Sequence, residues 1–266
     1  MNTSRIDYSA FDIPEILSVL FHPRPEYGDQ GANDSSIELT IPVDDNVFIG
    51  GRFYTAGKSS PSILFFHGNG EIVADYADMS PVYNNIEINF LPVDYRGYGR
   101  STGTPTVTAM MKDSHVILDW TQDWLRKEGY NGPLILMGRS LGSSSVLELA
   151  ANYEDKVDGL IIESGFSRIE PLLRLLGVSM KTLGIKEEDS RQNIHKIKGF
   201  NKPTLIIHAE NDHVIPFAEG QELFENSPAG YKRLLSIPDA DHNTIFFVGM
   251  SEYMDAVENL INEISI

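Results

Sequence analysis

Leu134-Ile135-Leu136-Met137-Gly138-Arg139-Ser140-Leu141-Gly142-Ser143 is the stretch that decides the reading. Four apolar residues form a strand too uniformly hydrophobic to face water on either side, as expected inside a parallel sheet. Gly-x-Ser-x-Gly follows at once, and a helical run through Val146, Leu149 and Ala150 follows that. A strand, a tight turn and a helix in this order set a serine on a strained corner, with its hydroxyl presented at the end of the sheet. The flanking glycines leave room where a β-carbon would collide with neighbouring backbone. As a bare pattern the pentapeptide occurs by chance in roughly one chain in ten of this length. Its position gives it weight, because Ser140 otherwise reads as a plain helix N-cap.

Outward from this centre the same rhythm continues. Short β-branched or aromatic runs bounded by turn residues predict eight strands: Ile37–Val43, Val47–Tyr54, Ser62–Phe66, Ile88–Val93, Leu134–Met137, Gly159–Ile162, Thr204–His208 and Arg233–Ile237. The first two alternate across Asp44-Asp45-Asn46 and predict an antiparallel hairpin at a sheet edge. Apolar faces at helical spacing lie between the later strands, through Val107, Met110, Met111, Leu118 and Leu125, and again through Tyr253, Val257, Leu260 and Ile264. Alternation of this kind predicts an α/β fold with a doubly wound, mostly parallel sheet and helices on both faces. Residues 168–200 are too long for a simple crossover and read either as a small lid or as a crossover helix with an irregular tail.

A serine hydroxyl is a weak nucleophile until a base removes its proton. His242, in Pro238-Asp239-Ala240-Asp241-His242-Asn243, follows the last strand, at the sheet end where open α/β folds place their sites. His213 is its rival. The base needs a carboxylate that fixes its tautomer, supplied after a strand lying between serine and histidine. Asp212 in His208-Ala209-Glu210-Asn211-Asp212-His213 meets that requirement, with Glu163 and Glu210 as alternatives. Backbone donors for an oxyanion fall to the loop His67-Gly68-Asn69-Gly70 and to the residue after the nucleophile, so the N–H groups of Asn69 and Leu141 are the candidates. His67 reads as a support of that loop. Arg139 either attracts an acidic substrate or packs on a neighbouring loop.

From about residue 35 to 266 the chain resembles the α/β-hydrolase superfamily, on Phe66-His67-Gly68-Asn69-Gly70, Asp94-Tyr95-Arg96-Gly97-Tyr98-Gly99-Arg100-Ser101 and Gly138-Arg139-Ser140-Leu141-Gly142. It is most similar to compact members related to monoglyceride lipases, serine aminopeptidases and depalmitoylating thioesterases. The resemblance implies an α/β-hydrolase domain over 35–266, with an N-terminal extension at 1–34 packing on it. It also implies a catalytic triad of Ser140, Asp212 and His242, and an oxyanion hole at Asn69 and Leu141. One departure stands out: Gly142-Ser143-Ser144-Ser145 replaces the second glycine or alanine of many relatives.

The expected reaction is hydrolysis of a carboxylic ester or thioester through an acyl-enzyme. A non-catalytic ligand-binding module on the same scaffold, or an amidase or peptidase, is the alternative. Composition bounds the rest. The chain has 266 residues, 21 basic against 38 acidic, for a formal net charge of -17, which repels nucleic-acid phosphates. Without cysteine it has no disulfide framework, thiol nucleophile or thiolate metal site. A site built from His67, His208, Asp212 and His213 lacks tight ligand spacing, so no metal and no cofactor are expected. The expected partner is a small acyl substrate. No membrane span and no signal-peptide core are read near the N-terminus, and a cytoplasmic location is expected.

Overall fold

A computed structural model describes residues 6–28 and 36–264. Its eight strands are β1 (Ser36–Asp44), β2 (Val47–Tyr54), β3 (Ser62–Phe66), β4 (Asn89–Val93), β5 (Leu134–Arg139), β6 (Gly159–Glu163), β7 (Thr204–Ala209) and β8 (Lys232–Ile237). They form one sheet in the order β1-β2-β4-β3-β5-β6-β7-β8. β1 pairs antiparallel with β2, and β2 with β4, while every pairing from β4 to β8 is parallel. Strand β5, which leads into Ser140, therefore lies near the middle of the sheet, between β3 and β6.

Period-two alternation assigns the side chains of each central strand to two apolar layers. Leu64, Phe66, Leu134, Leu136, Leu160, Ile162 and Ile206 enter one layer. Ile63, Phe65, Ile135, Met137, Ile161, Leu205 and Ile207 enter the other. The first layer is covered by α1 (Pro14–Leu20), α3 (Val107–Lys127), α4 (Gly142–Asn152) and α8 (Phe217–Asn226). The second is covered by α2 (Ser80–Asn85), α9 (Ile245–Val248) and α10 (Met250–Ile264). Helix α3 starts where Thr106 accepts a hydrogen bond on its hydroxyl from the N–H of Ala109, which satisfies one of the free donors of its first turn.

The predicted strands and the edge hairpin are present, with β5 running two residues further than the apolar run, through Gly138 and Arg139. Before the sheet, Tyr8, Phe11, Ile16, Leu20 and Phe21 are buried in the first layer. The segment after β6 contains α5 (Ile169–Leu175), α6 (Glu187–Ser190) and α7 (Gln192–Ile197). Leu172, Leu173 and Met180 join the core, whereas Leu175 and Leu176 are exposed. The amide of Asn193 in α7 donates to Ser144 Oγ and to the Phe166 carbonyl, tying this segment to α4. No helix among the described residues is long and apolar enough to cross a membrane.

Candidate active site

Ser140 follows β5 in the left-handed region, with φ of 52°, a conformation that costs a non-glycine residue free energy and needs surrounding structure to hold it. The holding is visible. Its N–H donates to the Glu163 carbonyl at 2.9 Å, and its own carbonyl accepts from the hydroxyl of Ser143 at 2.6 Å. The glycines of the motif are sterically required. A β-carbon on Gly138 would lie 2.4 Å from the Gly142 carbonyl oxygen, and one on Gly142 would lie 2.0 Å from that of Phe66. Helix α4 thus packs directly on the backbone of β3 and β5, and Ser140 sits at its head.

Three side chains from three separate loops meet there. Ser140 Oγ donates to His242 Nε2 at 3.0 Å, and His242 Nδ1 donates to Asp212 Oδ2 at 2.7 Å. All three residues are buried. Asp212 Oδ1 accepts the N–H groups of Val214 and Ile215 at 2.9 and 2.7 Å, the local turn that an aspartate at this position favours. Burial pushes the Asp212 carboxyl upward, but the hydrogen bond and charge of His242 and the N–H of Ile215 outweigh it, leaving the group below its ordinary value. It is therefore an ionised acceptor at neutral pH. The loops of acid and base also hold each other directly: Glu210 N–H donates to the Ile237 carbonyl, and Asn211 N–H to that of Ala240.

His208 lies beneath the acid, with Nε2 donating to the Ile215 carbonyl at 2.8 Å and standing 3.6 Å from Asp212 Oδ2. Burial lowers its pKa, so it stays neutral and braces the turn that presents Asp212. His213, the rival base, is exposed. Glu163, the alternative acid, is engaged elsewhere: Oε1 pairs with Arg139 Nε at 3.0 Å and Oε2 accepts from the Tyr253 hydroxyl at 2.6 Å. Among the described residues no three His, Asp or Glu side chains are grouped to hold a metal ion.

Arg139 is buried, and its guanidinium is a junction. Besides Glu163 it contacts Glu71 Oε1 at 3.1 Å and donates to the main-chain carbonyl of His242 at 2.7 Å. Glu71 Oε2 in turn accepts the N–H of Gly68 at 2.6 Å and the Tyr76 hydroxyl at 2.5 Å. Burial opposes the charge on Arg139, but Glu71 and Glu163 more than offset it and raise the pKa. The same side chain therefore grips the base loop from behind and, through Glu71, the loop that carries Asn69.

Asn69 follows Gly68 on that loop, after β3, and Leu141 follows Ser140. Their main-chain N–H groups donate to no acceptor among the described residues. His67 is fully buried, donates from Nδ1 to the Gly68 carbonyl at 2.7 Å and packs on the rings of Tyr95 and Tyr98, so it supports the loop from below. Three residues that sequence reasoning left without a role converge on the outer side of the same loop: His22 and Tyr98 contact the Asn69 side chain, and Arg24 contacts Gly70. His22 and Arg24 lie far from the loop in sequence and no local pattern marks them, whereas Tyr98 belongs to the motif at 94–101.

Sheet order, the sharp turn at Ser140 and the loop origins of His242 and Asp212 define an α/β-hydrolase. A family model described as serine aminopeptidase, S33, matches residues 57–191, just over half of the chain, and the chain belongs to that family. It is similar to protein bem46 of Schizosaccharomyces pombe, 26% identical over 191 residues that cover 70% of this chain and 62% of bem46. It is also similar to human alpha/beta hydrolase domain-containing protein 17B, 30% identical over 211 residues that cover 76% of this chain and 66% of that protein. The chain thus spans about two thirds of the length of these two relatives. In fold it resembles Est1E from Butyrivibrio proteoclasticus, solved with ferulic acid bound, with a TM-score of 0.72 at 18% identity over 86% of this chain and all of that one.

Proposed function

We propose that this protein is a serine hydrolase that cleaves carboxylic ester or thioester bonds through an acyl-enzyme, with Ser140 as nucleophile, His242 as base and Asp212 as acid. The observation that carries the reading is the continuous hydrogen-bonded line from Ser140 Oγ through both nitrogens of His242 to Asp212. In the first step Ser140 Oγ attacks the acyl carbon while its proton passes to His242 Nε2. The N–H groups of Asn69 and Leu141 donate to the oxyanion, and Asp212 stabilises the imidazolium that forms. His242 then protonates the departing alcohol or thiol, and a water activated by the same nitrogen releases the acid and restores Ser140. The residues from about 168 to 200, tied to α4 through Asn193, are read as a small lid on the domain spanning 35–266.

Labelling with a fluorescent fluorophosphonate is the direct test. Wild type is expected to label, and Ser140→Ala to lose both labelling and about 10^4-fold or more of its esterase rate while remaining folded. A folded wild type that neither labels nor hydrolyses any ester or thioester in a chain-length series would leave a ligand-binding module instead. The family description adds a second reading, cleavage of an amide at a peptide terminus. Aminoacyl anilides belong in the same series, because amides demand fuller protonation of the leaving group and so separate the two.

A further inference from the structure

The oxyanion loop needs an outer support that the triad does not provide. Gly70 has φ of 79° with open space around its missing β-carbon, and the Asn69 N–H donates to nothing in the described chain. A flexible segment aims such a donor only if its neighbours are held. Gly68 is held from behind by Glu71. Asn69 and Gly70 are held from the front by residues that precede the whole sheet. The His22 N–H donates to Asn69 Oδ1 at 2.8 Å and to the Tyr98 hydroxyl at 2.7 Å, and the Tyr98 hydroxyl donates to the same Asn69 Oδ1 at 2.8 Å. Arg24 Nε donates to the Gly70 carbonyl at 2.8 Å, and its guanidinium pairs with Asp75. The N–H of Gly99 donates to the Arg24 carbonyl, and that of Glu26 to the Gly99 carbonyl, so this strand-like strap is stitched down at its far end.

Donor and acceptor accounting then fixes the chemistry of one ring. Asn69 Oδ1 already receives two donors, so Nδ2 is the end that faces His22 Nδ1, at 2.8 Å. An amide nitrogen only donates, hence Nδ1 is the acceptor of this hydrogen bond. From this we infer that the segment Phe21–Glu26 is a working part of the oxyanion hole and that His22 is a positioning residue: its Nδ1 lone pair orients Asn69, whose main-chain N–H donates to the oxyanion. This rests on the reading of Ser140 as an acylated nucleophile.

Three substitutions of one exposed residue test it. In His22→Asn the side-chain oxygen can occupy the place of Nδ1 and accept from Asn69; in His22→Gln the amide reaches the place of Nε2 and cannot; in His22→Ala nothing remains. Steady-state hydrolysis of one ester by purified protein, with melting temperature and fluorophosphonate labelling rate measured alongside, is expected to show kcat reduced about tenfold in the Ala and Gln variants. That is less than the 10^2 to 10^3 lost with a whole oxyanion donor. KM and melting temperature are expected to stay near wild type, and the Asn variant to retain kcat within about twofold. Equal kcat in all four proteins overturns the inference, as does a change confined to KM or an equal loss in the Asn variant. A wild type inert to ester and fluorophosphonate alike overturns the hydrolase reading and takes this one with it. An active wild type with indifferent variants overturns this one alone.

Discussion

At Gly142 the fold tolerates no side chain, because the β-carbon would stand 2.0 Å from a main-chain oxygen of β3, at the centre of the sheet. Gly142→Ala is expected to lower stability by about 2–4 kcal/mol in a urea titration, since backbone on both sides must shift. Gly129→Ala serves as a contrast: its φ is 76°, yet nothing lies within 4 Å, so only backbone strain of about 1–2 kcal/mol is incurred. At Asp212 the argument concerns protons. Both carboxylate oxygens accept, one from two N–H groups and the other from His242. In Asp212→Asn the amide oxygen stays with the two N–H donors, which turns the NH2 toward His242 and forces Nδ1 to accept. The ring proton moves to Nε2, and the base for Ser140 is lost. A fall of about 10^4-fold in kcat with little change in melting temperature is the expected result; a variant within tenfold of wild type would remove Asp212 from the mechanism. The loop positions of Ser140, Asp212 and His242 are legible in the sequence because each follows a recognisable strand. His22 is not, since its partner is 47 positions away and a histidine before a proline carries no signal of its own.

At the scale of elements, the active loops are held by a charged junction and not by apolar packing alone. Arg139 leaves the end of β5 and meets Glu163 from β6, Glu71 from the loop after β3 and the carbonyl of His242 from the loop after β8. Sequence left open whether this arginine faces a substrate or packs inward, and the structure buries it. Arg139→Met is expected to cost about 3–5 kcal/mol in a denaturant titration, because the buried Glu163 carboxyl then loses its cationic partner and keeps only the Tyr253 hydroxyl. Adding Glu71→Gln and Glu163→Gln is expected to recover part of that loss, since no uncompensated charge then remains. A triple variant no more stable than the single one would show that the arginine acts through packing. The strands themselves were legible from their uniform apolar runs, which parallel burial demands. The junction was not, because three charged side chains and a carbonyl at or after the ends of four different strands become neighbours only once the strand order is known.

At the scale of the whole molecule, a second buried ionic cluster binds the periphery to α4, the helix that follows Ser140. Glu148, on α4, accepts from the Tyr8 hydroxyl at 2.5 Å, contacts the Lys196 ammonium of α7 at 3.1 Å and meets His115 of α3 at 3.2 Å. The segment before the sheet, the segment after β6 and two core helices thus share one carboxylate. Burial pushes its pKa up, but the hydrogen bond from His115, the charge of Lys196 and the Tyr8 hydroxyl win, bringing it from 4.5 to about 2. A carboxyl whose folded value is depressed binds its proton more readily when unfolded, so its contribution is fully present above about pH 4.5 and is lost as pH falls through about 2. Glu148→Gln removes that titration. Wild type is therefore expected to exceed the variant in stability by its full margin near pH 5, and by a margin that shrinks between pH 4.5 and 2. Other carboxylates titrate in both proteins and cancel in the difference. Urea midpoints measured at intervals across that range check the expectation, and a margin that does not change with pH would mean that Glu148 holds these elements by shape and neutral hydrogen bonds alone.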